Sequence, residues 1–238
     1  MPVVRANTGW IDSGGSGPDQ PFVSKSVIDD DFEGDKLDTN KWTAYTPTAG
    51  ASNAVLQVGG GNLMMGIASN ANDNAQYKHG FFNSTFLPNV RYFINYKIKT
   101  IQHVRWPNSG ARSSFRFFFF NDTNSLGVQG AWFTDYNTSG WSTNGLDMRQ
   151  GAGADATRII WNYTDWKIPT YQQWYWDPTT PLVVFYVSED GWNYYPIMAT
   201  NTSGLTASAP PQRLYIEVNA YNYSPSVIWM DWIRLRLL

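Results

Sequence analysis

The chain contains no cysteine. That excludes disulfides, thiolate zinc sites and cysteine nucleophiles. Secreted eukaryotic domains of this size often carry a disulfide, so the absence leans the source towards a microbe or a virus. Charge is also scarce: Asp, Glu, Lys and Arg make up 15% of the 238 residues, and the formal net charge is −2. There is no basic run, so nucleic-acid binding lacks its electrostatic footprint. The two histidines, His79 and His103, are too isolated for a metal centre or a triad. No apolar run reaches membrane-spanning length, and the start, MPVVRANTGWIDSGG, has no signal-peptide h-region. Membrane insertion is not expected. Gly-x-Ser-x-Gly, a phosphate loop, an internal repeat and a convincing helix are missing too.

What is present is aromatic. Phe, Trp and Tyr make up 16% of the chain, with 12 Trp and 14 Tyr. Such residues favour strands. They also favour surfaces that stack on sugars or partners, because each joins a flat apolar body to a polar tip. Apolar residues reach 42%, enough for a real core. Abundant Asn, Ser, Thr and Gly give a neutral polar surface, suited to neutral polymers or to copies of itself. Sequons occur at Asn83, Asn121, Asn137, Asn162, Asn201 and Asn222, and they matter only in a glycosylating host.

Residues 1–28 read as an extended N-terminal arm. Gly9–Pro21 is rich in Gly, Ser and Pro and cannot hold regular structure for long. The apolar runs Pro2–Val4 and Phe22–Ile28 each suit a strand, the first pairing away from the body or with a neighbouring chain. Residues 29–238 then read as one domain. Alternation predicts strands within Asn53–Val58, Gly59–Ile67, Asn89–Ile101, Arg112–Asp122, Gly127–Asn137, Ala156–Thr164, Thr180–Asp190, Trp192–Thr200, Arg213–Tyr221 and Ser226–Leu238. In the third of these Tyr92, Ile94, Tyr96 and Ile98 share a face; in the fourth Phe115, Phe117 and Phe119 do. In the last, strict alternation groups Val227, Trp229, Asp231, Ile233 and Leu235 against Ile228, Met230, Trp232, Arg234 and Arg236. An acid in such an apolar strand is costly unless it is paired or binds a cation. Many short strands punctuated by turns indicate an all-β, antiparallel two-sheet sandwich or barrel.

The acid-rich stretch DDDFEGDKLDTNKW (Asp29–Trp42) resembles the opening of concanavalin A-like jelly-roll domains, notably glycoside hydrolase family 16 and its non-catalytic lectin-like relatives. Three further pieces resemble the family in order: VGGGNLMM (Val58–Met65), VSEDGWNYYPI (Val187–Ile197, similar to the Ser-x-Asp-Gly-x-x-Trp hairpin of laminin-G-like sandwiches) and VIWMDWIRLR (Val227–Arg236). The resemblance implies a concanavalin A-like β-sandwich over 29–238. It also implies a structural Ca2+ site built from Asp31, Gly61 and Asp231, whose carboxylate and carbonyl oxygens suit a hard cation. Glu33, Asp35 and Asp38 then read as solvated turn residues.

Family 16 carries its acids as Glu-x-Asp-x-x-Glu on one strand. The strand expected to hold them reads RSSFRFFFFND (Arg112–Asp122), with Arg and Phe in place of carboxylates. No hydrolase activity is expected. Glu217 is the one carboxylate well inside a predicted strand. It could act with Asp135 or Asp147, but a pairing with an Arg is the plainer reading. The segment WNYTDWKIPTYQQWYWDP (Trp161–Pro178) holds four Trp and three Tyr. We expect glycan-binding aromatics at Trp132, Trp161, Trp166, Trp174 and Trp176, with Arg116, Gln129, Asp135 and Arg149 bonding hydroxyls. The plainer alternative for each Trp is a place in the core or in a subunit contact. The expected partner is a neutral glycan or polysaccharide, met as an adhesion domain at an extracellular or virion surface. The alternative is a structural or decorating subunit of a virion, filament or surface layer, forming a homo-oligomer through its arm.

Overall fold

The computed structural model describes residues 28–45, 54–67, 77–83, 87–103, 112–121, 126–136, 142–150, 158–162, 170–201, 205–221 and 226–238. Of the arm only Ile28 is described, buried in the core; the rest of the arm, its expected strand Pro2–Val4, its role in assembly and Trp166 lie outside the described residues.

Fourteen strands and no helix are found among the described residues. In chain order they are β1 (Trp42–Tyr45), β2 (Ala54–Val58), β3 (Leu63–Ile67), β4 (Tyr77–Asn83), β5 (Tyr92–His103), β6 (Arg112–Asn121) and β7 (Leu126–Tyr136). They continue with β8 (Ser142–Gln150), β9 (Arg158–Asn162), β10 (Tyr171–Asp177), β11 (Leu182–Ser188), β12 (Tyr195–Asn201), β13 (Arg213–Tyr221) and β14 (Ser226–Leu237). Two seven-stranded antiparallel sheets result. The first runs β1-β4-β13-β6-β7-β8-β9 and the second β12-β11-β10-β5-β14-β3-β2. The expected all-β two-sheet sandwich is the fold observed.

Alternation explains which faces meet. Phe115, Phe117 and Phe119 of β6 and Leu214, Ile216 and Val218 of β13 are buried in one core with Tyr92, Ile94, Tyr96 and Ile98 of β5. The centre is an aromatic stack that spans the sheets. Phe117 lies between Tyr96 (centroids 4.9 Å apart, planes at 15°) and Trp174 (5.5 Å, 6°). A polar thread runs through it: Trp174 Nε1 donates to Tyr96 Oη (3.1 Å), which donates to Gln172 Oε1 (2.8 Å). Burial pushes the Tyr96 hydroxyl far above the usual phenol range, so it stays neutral and relays both bonds.

β14 departs from strict alternation. Met230 pairs with Ile98 and Trp232 with Lys97, so Asp231 is the extra residue of a bulge. The bulge resets the pleat. Ile228, Met230, Ile233 and Leu235 all enter the core, while Trp232 joins Tyr171, Tyr194 and Tyr186 in a separate cluster. The grouping of Asp231 with Ile233 and Leu235, read from strict alternation, is corrected accordingly.

The opening acids clasp β14. Asp30 and Ile233 exchange both backbone bonds at 2.9 Å. Asp30 Oδ2 accepts from Trp42 Nε1 (2.8 Å) and its Oδ1 from Phe32 N (2.9 Å). Phe32, with φ of 53°, holds a left-handed backbone while its ring is buried in the core. The β2–β3 turn also needs left-handed residues, at Gly60 and Gly61. Gly61 has φ of +69°, and a Cβ there would stand 3.0 Å from Glu33 Oε1. Gly61→Ala should therefore cost about 1–2 kcal/mol in a urea titration. A cost below the measurement error would show that the turn adopts another conformation.

Candidate functional face of the first sheet

Positions of β6 and β13 that alternate with the core residues face away from the core. Register carries that face across the sheet. One row reads Gly80, Glu217, Arg116, Ala131, Asp147 and Ile160. The next reads Phe82, Tyr215, Phe118, Gln129, Arg149 and Arg158. A third holds Tyr221, Arg112, Asp135 and Thr143. The four expected polar ligand positions, Arg116, Gln129, Asp135 and Arg149, thus fall on one face. Gln129 and Arg149 are direct partners across β7 and β8.

The row supplies chemistry of both signs. Glu217 is buried and is the direct register partner of Arg116. Gly80 and Ala131 are the register neighbours that flank these two. Asp147 stands three strands from Glu217, about 14 Å between backbones at the usual strand spacing. Asp135 is four residues along β7 from Ala131 and two strands from β13, about 16 Å away by the same geometry. Carboxyls that cooperate in glycoside hydrolysis stand about 5–9.5 Å apart.

The tryptophans divide differently from the expectation. Trp174 and Trp176 are 1% and 0% exposed and belong to the core. They are corrected from ligand platforms to packing residues: Trp174 packs on Phe117 and Phe185, and alternation on β10 turns Trp176 to the same core side. Trp132 is the register partner of Phe115 and of Leu146, and Trp161 is the partner of Leu146, so these positions too fall on core-facing rows.

The outer face of the second sheet carries its own ordered polar row. Gln173 Nε2 donates to Asn95 Oδ1 (2.6 Å), and both residues are buried. Aromatic pairs flank them: Phe93 with Tyr175 (5.1 Å) on one side and Tyr171 with Trp232 (6.3 Å) on the other. The Arg234 guanidinium lies 4.4 Å over the Trp232 ring. Sequence reasoning missed this layer because β10 was read as a ligand segment and not as a strand.

The residues expected to hold calcium do not make a calcium-like donor set. Asp231 is bracketed by two ammonium groups, Lys99 Nζ at 2.8 Å and Lys97 Nζ at 3.0 Å. Asp31 pairs with Arg234 Nη2 at 3.2 Å. Each carboxylate already has a cation, and two lysines beside Asp231 repel a second one. Among the described residues no group of three or more His, Cys, Asp or Glu is placed to hold a metal. In this structure the lysine pair, at a bulge, supplies the counter-charge that Asp231 needs in its apolar strand.

Neither a protein-family model nor a curated protein sequence matches the chain. Solved structures do match over nearly its full length. One, described with endo-acting O-glycanases by which human gut microbiota initiate mucin breakdown, has a TM-score of 0.54 and 14% identity over 89% of this chain and 98% of that one. The carbohydrate recognition domain of Emp47p has a TM-score of 0.52 and 12% identity over 90% and 99%. SCLam, a non-specific endo-β-1,3(4)-glucanase of family GH16, has a TM-score of 0.51 and 12% identity over 88% and 89%. Lectins and hydrolases therefore share this architecture, which fixes neither activity. With two seven-stranded antiparallel sheets over an aromatic core and these neighbours, the chain has the concanavalin A-like jelly-roll fold.

Proposed function

We propose that the protein binds neutral glycans without cleaving them, as an adhesion domain at a cell or virion surface. The observation that carries the reading is the shared outer face of Arg116, Gln129, Asp135 and Arg149 on the first sheet. Guanidinium, amide and carboxylate groups spread over one sheet face offer donors and acceptors of the kinds that sugar hydroxyls need. Sugar hydroxyls are neutral, and a sheet face with both signs of charge suits them better than a field of one sign. The wide spacing of Glu217, Asp147 and Asp135 supports binding over hydrolysis. So does the lack of a Glu-x-Asp-x-x-Glu run on β6.

The test is one incubation with laminarin, xylan, galactomannan and mucin, read both as co-sedimented protein and as reducing ends released. Binding without new reducing ends is expected. Arg149→Ala should weaken it about tenfold or more, the scale of one lost hydrogen bond from a charged donor. New reducing ends, abolished by Glu217→Gln, would replace the binding reading with a hydrolytic one.

A further inference from the structure

The turn between β11 and β12 holds a tryptophan unlike its neighbours. Among the described tryptophan side chains, Trp42, Trp174, Trp176 and Trp232 are buried and Trp229 is half-buried, whereas Trp192 is 47% exposed. Tyr195, three residues on, is 51% exposed. Tyr194 between them turns the other way, into the cluster with Tyr171 and Trp232. The hairpin resemblance places its aromatic at Tyr194, so Trp192 lies outside that pattern. Burying a ring at 194 explains the hairpin's packing; it does not explain why aromatic residues at 192 and 195 keep about half of their surface exposed.

The turn also fixes the backbone at Trp192. Asp190 Oδ1 accepts from Trp192 N (2.8 Å), Asn193 N (2.8 Å) and Ser188 Oγ (2.9 Å). Asp190 Oδ2 accepts from Asn193 Nδ2 (2.7 Å), and Ser188 Oγ accepts from Gly191 N (2.9 Å). Gly191 takes a left-handed φ of 76° to close the loop. Backbone donors hold the Asp190 carboxyl far below the usual range, so the clamp stays charged through neutral and mildly acid pH. A rigid aromatic loses little conformational entropy on binding.

We propose that Trp192 and Tyr195 form a second glycan subsite, a stacking platform for pyranose rings at the β11–β12 edge of the second sheet. It rests on the glycan-binding reading above and adds a separate point of attachment to it. The size of the patch favours a sugar over a protein. Among the described residues the other exposed large apolar side chains lie elsewhere: Val55 on β2, at the opposite edge of the sheet, and Val90, Leu237 and Leu238 at the far end of β5 and β14. Two rings alone fall well short of the about 800 Å² per partner of a stable protein interface. They match one or two sugar units, whose C–H faces stack on a ring while exposed Asn193 and Glu189 border the hydroxyls.

The experiment uses the full chain and the polysaccharide that retains wild type most strongly in affinity electrophoresis. Trp192→Ala and Tyr195→Ala should each weaken retention about three- to tenfold, with far smaller shifts of the thermal melt than Trp174→Ala causes, because neither ring is buried. Trp192→Tyr should keep most of the affinity and Trp192→Leu should not, since stacking needs a ring and not merely apolar area. Wild-type affinity in Trp192→Ala and Tyr195→Ala, or in Trp192→Leu, would overturn the subsite. If Arg149→Ala still weakened retention, the first-sheet reading would survive that result. No retention of wild type by any of the four polysaccharides would overturn both. Loss of self-association with retention intact would reassign the rings to a protein contact and overturn the subsite.

Discussion

Trp174→Ala is expected to lower unfolding stability by about 3–5 kcal/mol, the usual cost of removing a large buried aromatic. The ring is 1% exposed. It stacks on Phe117 at 5.5 Å, meets Phe119 edge-on at 5.7 Å and touches Phe185 at 4.7 Å. Alanine would open a cavity between the sheets and remove the donor that bonds Tyr96. Trp174→Phe separates these effects: it keeps most of the packing, loses only the indole bond, and should cost about 1–2 kcal/mol. Urea denaturation with a constant slope measures both. Polysaccharide affinity, measured below the transition, should stay at the wild-type value in Trp174→Phe. A small stability loss together with a large affinity loss would move Trp174 back to a ligand surface.

Trp174 also shows where the sequence was legible and where it was not. The β5 face of Tyr92, Ile94, Tyr96 and Ile98 and the β6 face of Phe115, Phe117 and Phe119 were read correctly, because one side of each strand is apolar and the pattern is strict. YQQWYWD defeated the same reasoning. β10 is covered on both faces, so Gln172 enters the core and Gln173 the outer layer, and neither face looks apolar. Its tryptophans then resembled an exposed platform. β4 and β8 mix glycines and polar residues with their apolar ones, so no clean alternation marks them, and it is the ladder with their neighbours that places them. Alternation on β14 failed at Asp231, since nothing in a sequence marks a bulge. The polar face of the first sheet was half legible. Its residue types suggested hydroxyl recognition, but the direct pairing of Gln129 with Arg149 needs β8, which was not foreseen.

Asp29→Ala is expected to cost about 3 kcal/mol, more than any other acid of the opening stretch, because it breaks a buried, hydrogen-bonded charge contact. Asp29 is 4% exposed. Its Oδ1 accepts from Leu235 N at 2.8 Å, and its Oδ2 faces Arg236 Nη1 at 3.4 Å. Its carbonyl accepts from Lys41 Nζ at 2.6 Å. The carboxylate therefore ties the domain's start to its closing strand, across 206 residues of sequence. Alanine would leave the Leu235 amide without this acceptor and remove this carboxylate from the Arg236 guanidinium. Asp29→Asn keeps an acceptor for Leu235 and should cost about half as much. Asp31, paired with Arg234 but with 33% of its side chain exposed, should matter less, since solvent screens it. Asp35→Ala, at an exposed position, should fall within about 0.5 kcal/mol of wild type. The order Asp29, Asp31, Asp35 separates a clasp from a metal site. A calcium centre would invert it, making Asp31→Ala and Asp231→Ala the costly changes and lowering the melting temperature in chelator. The clasp predicts the stated order and a melt indifferent to chelator, because its cations are Lys41, Arg234 and Arg236 of the chain itself.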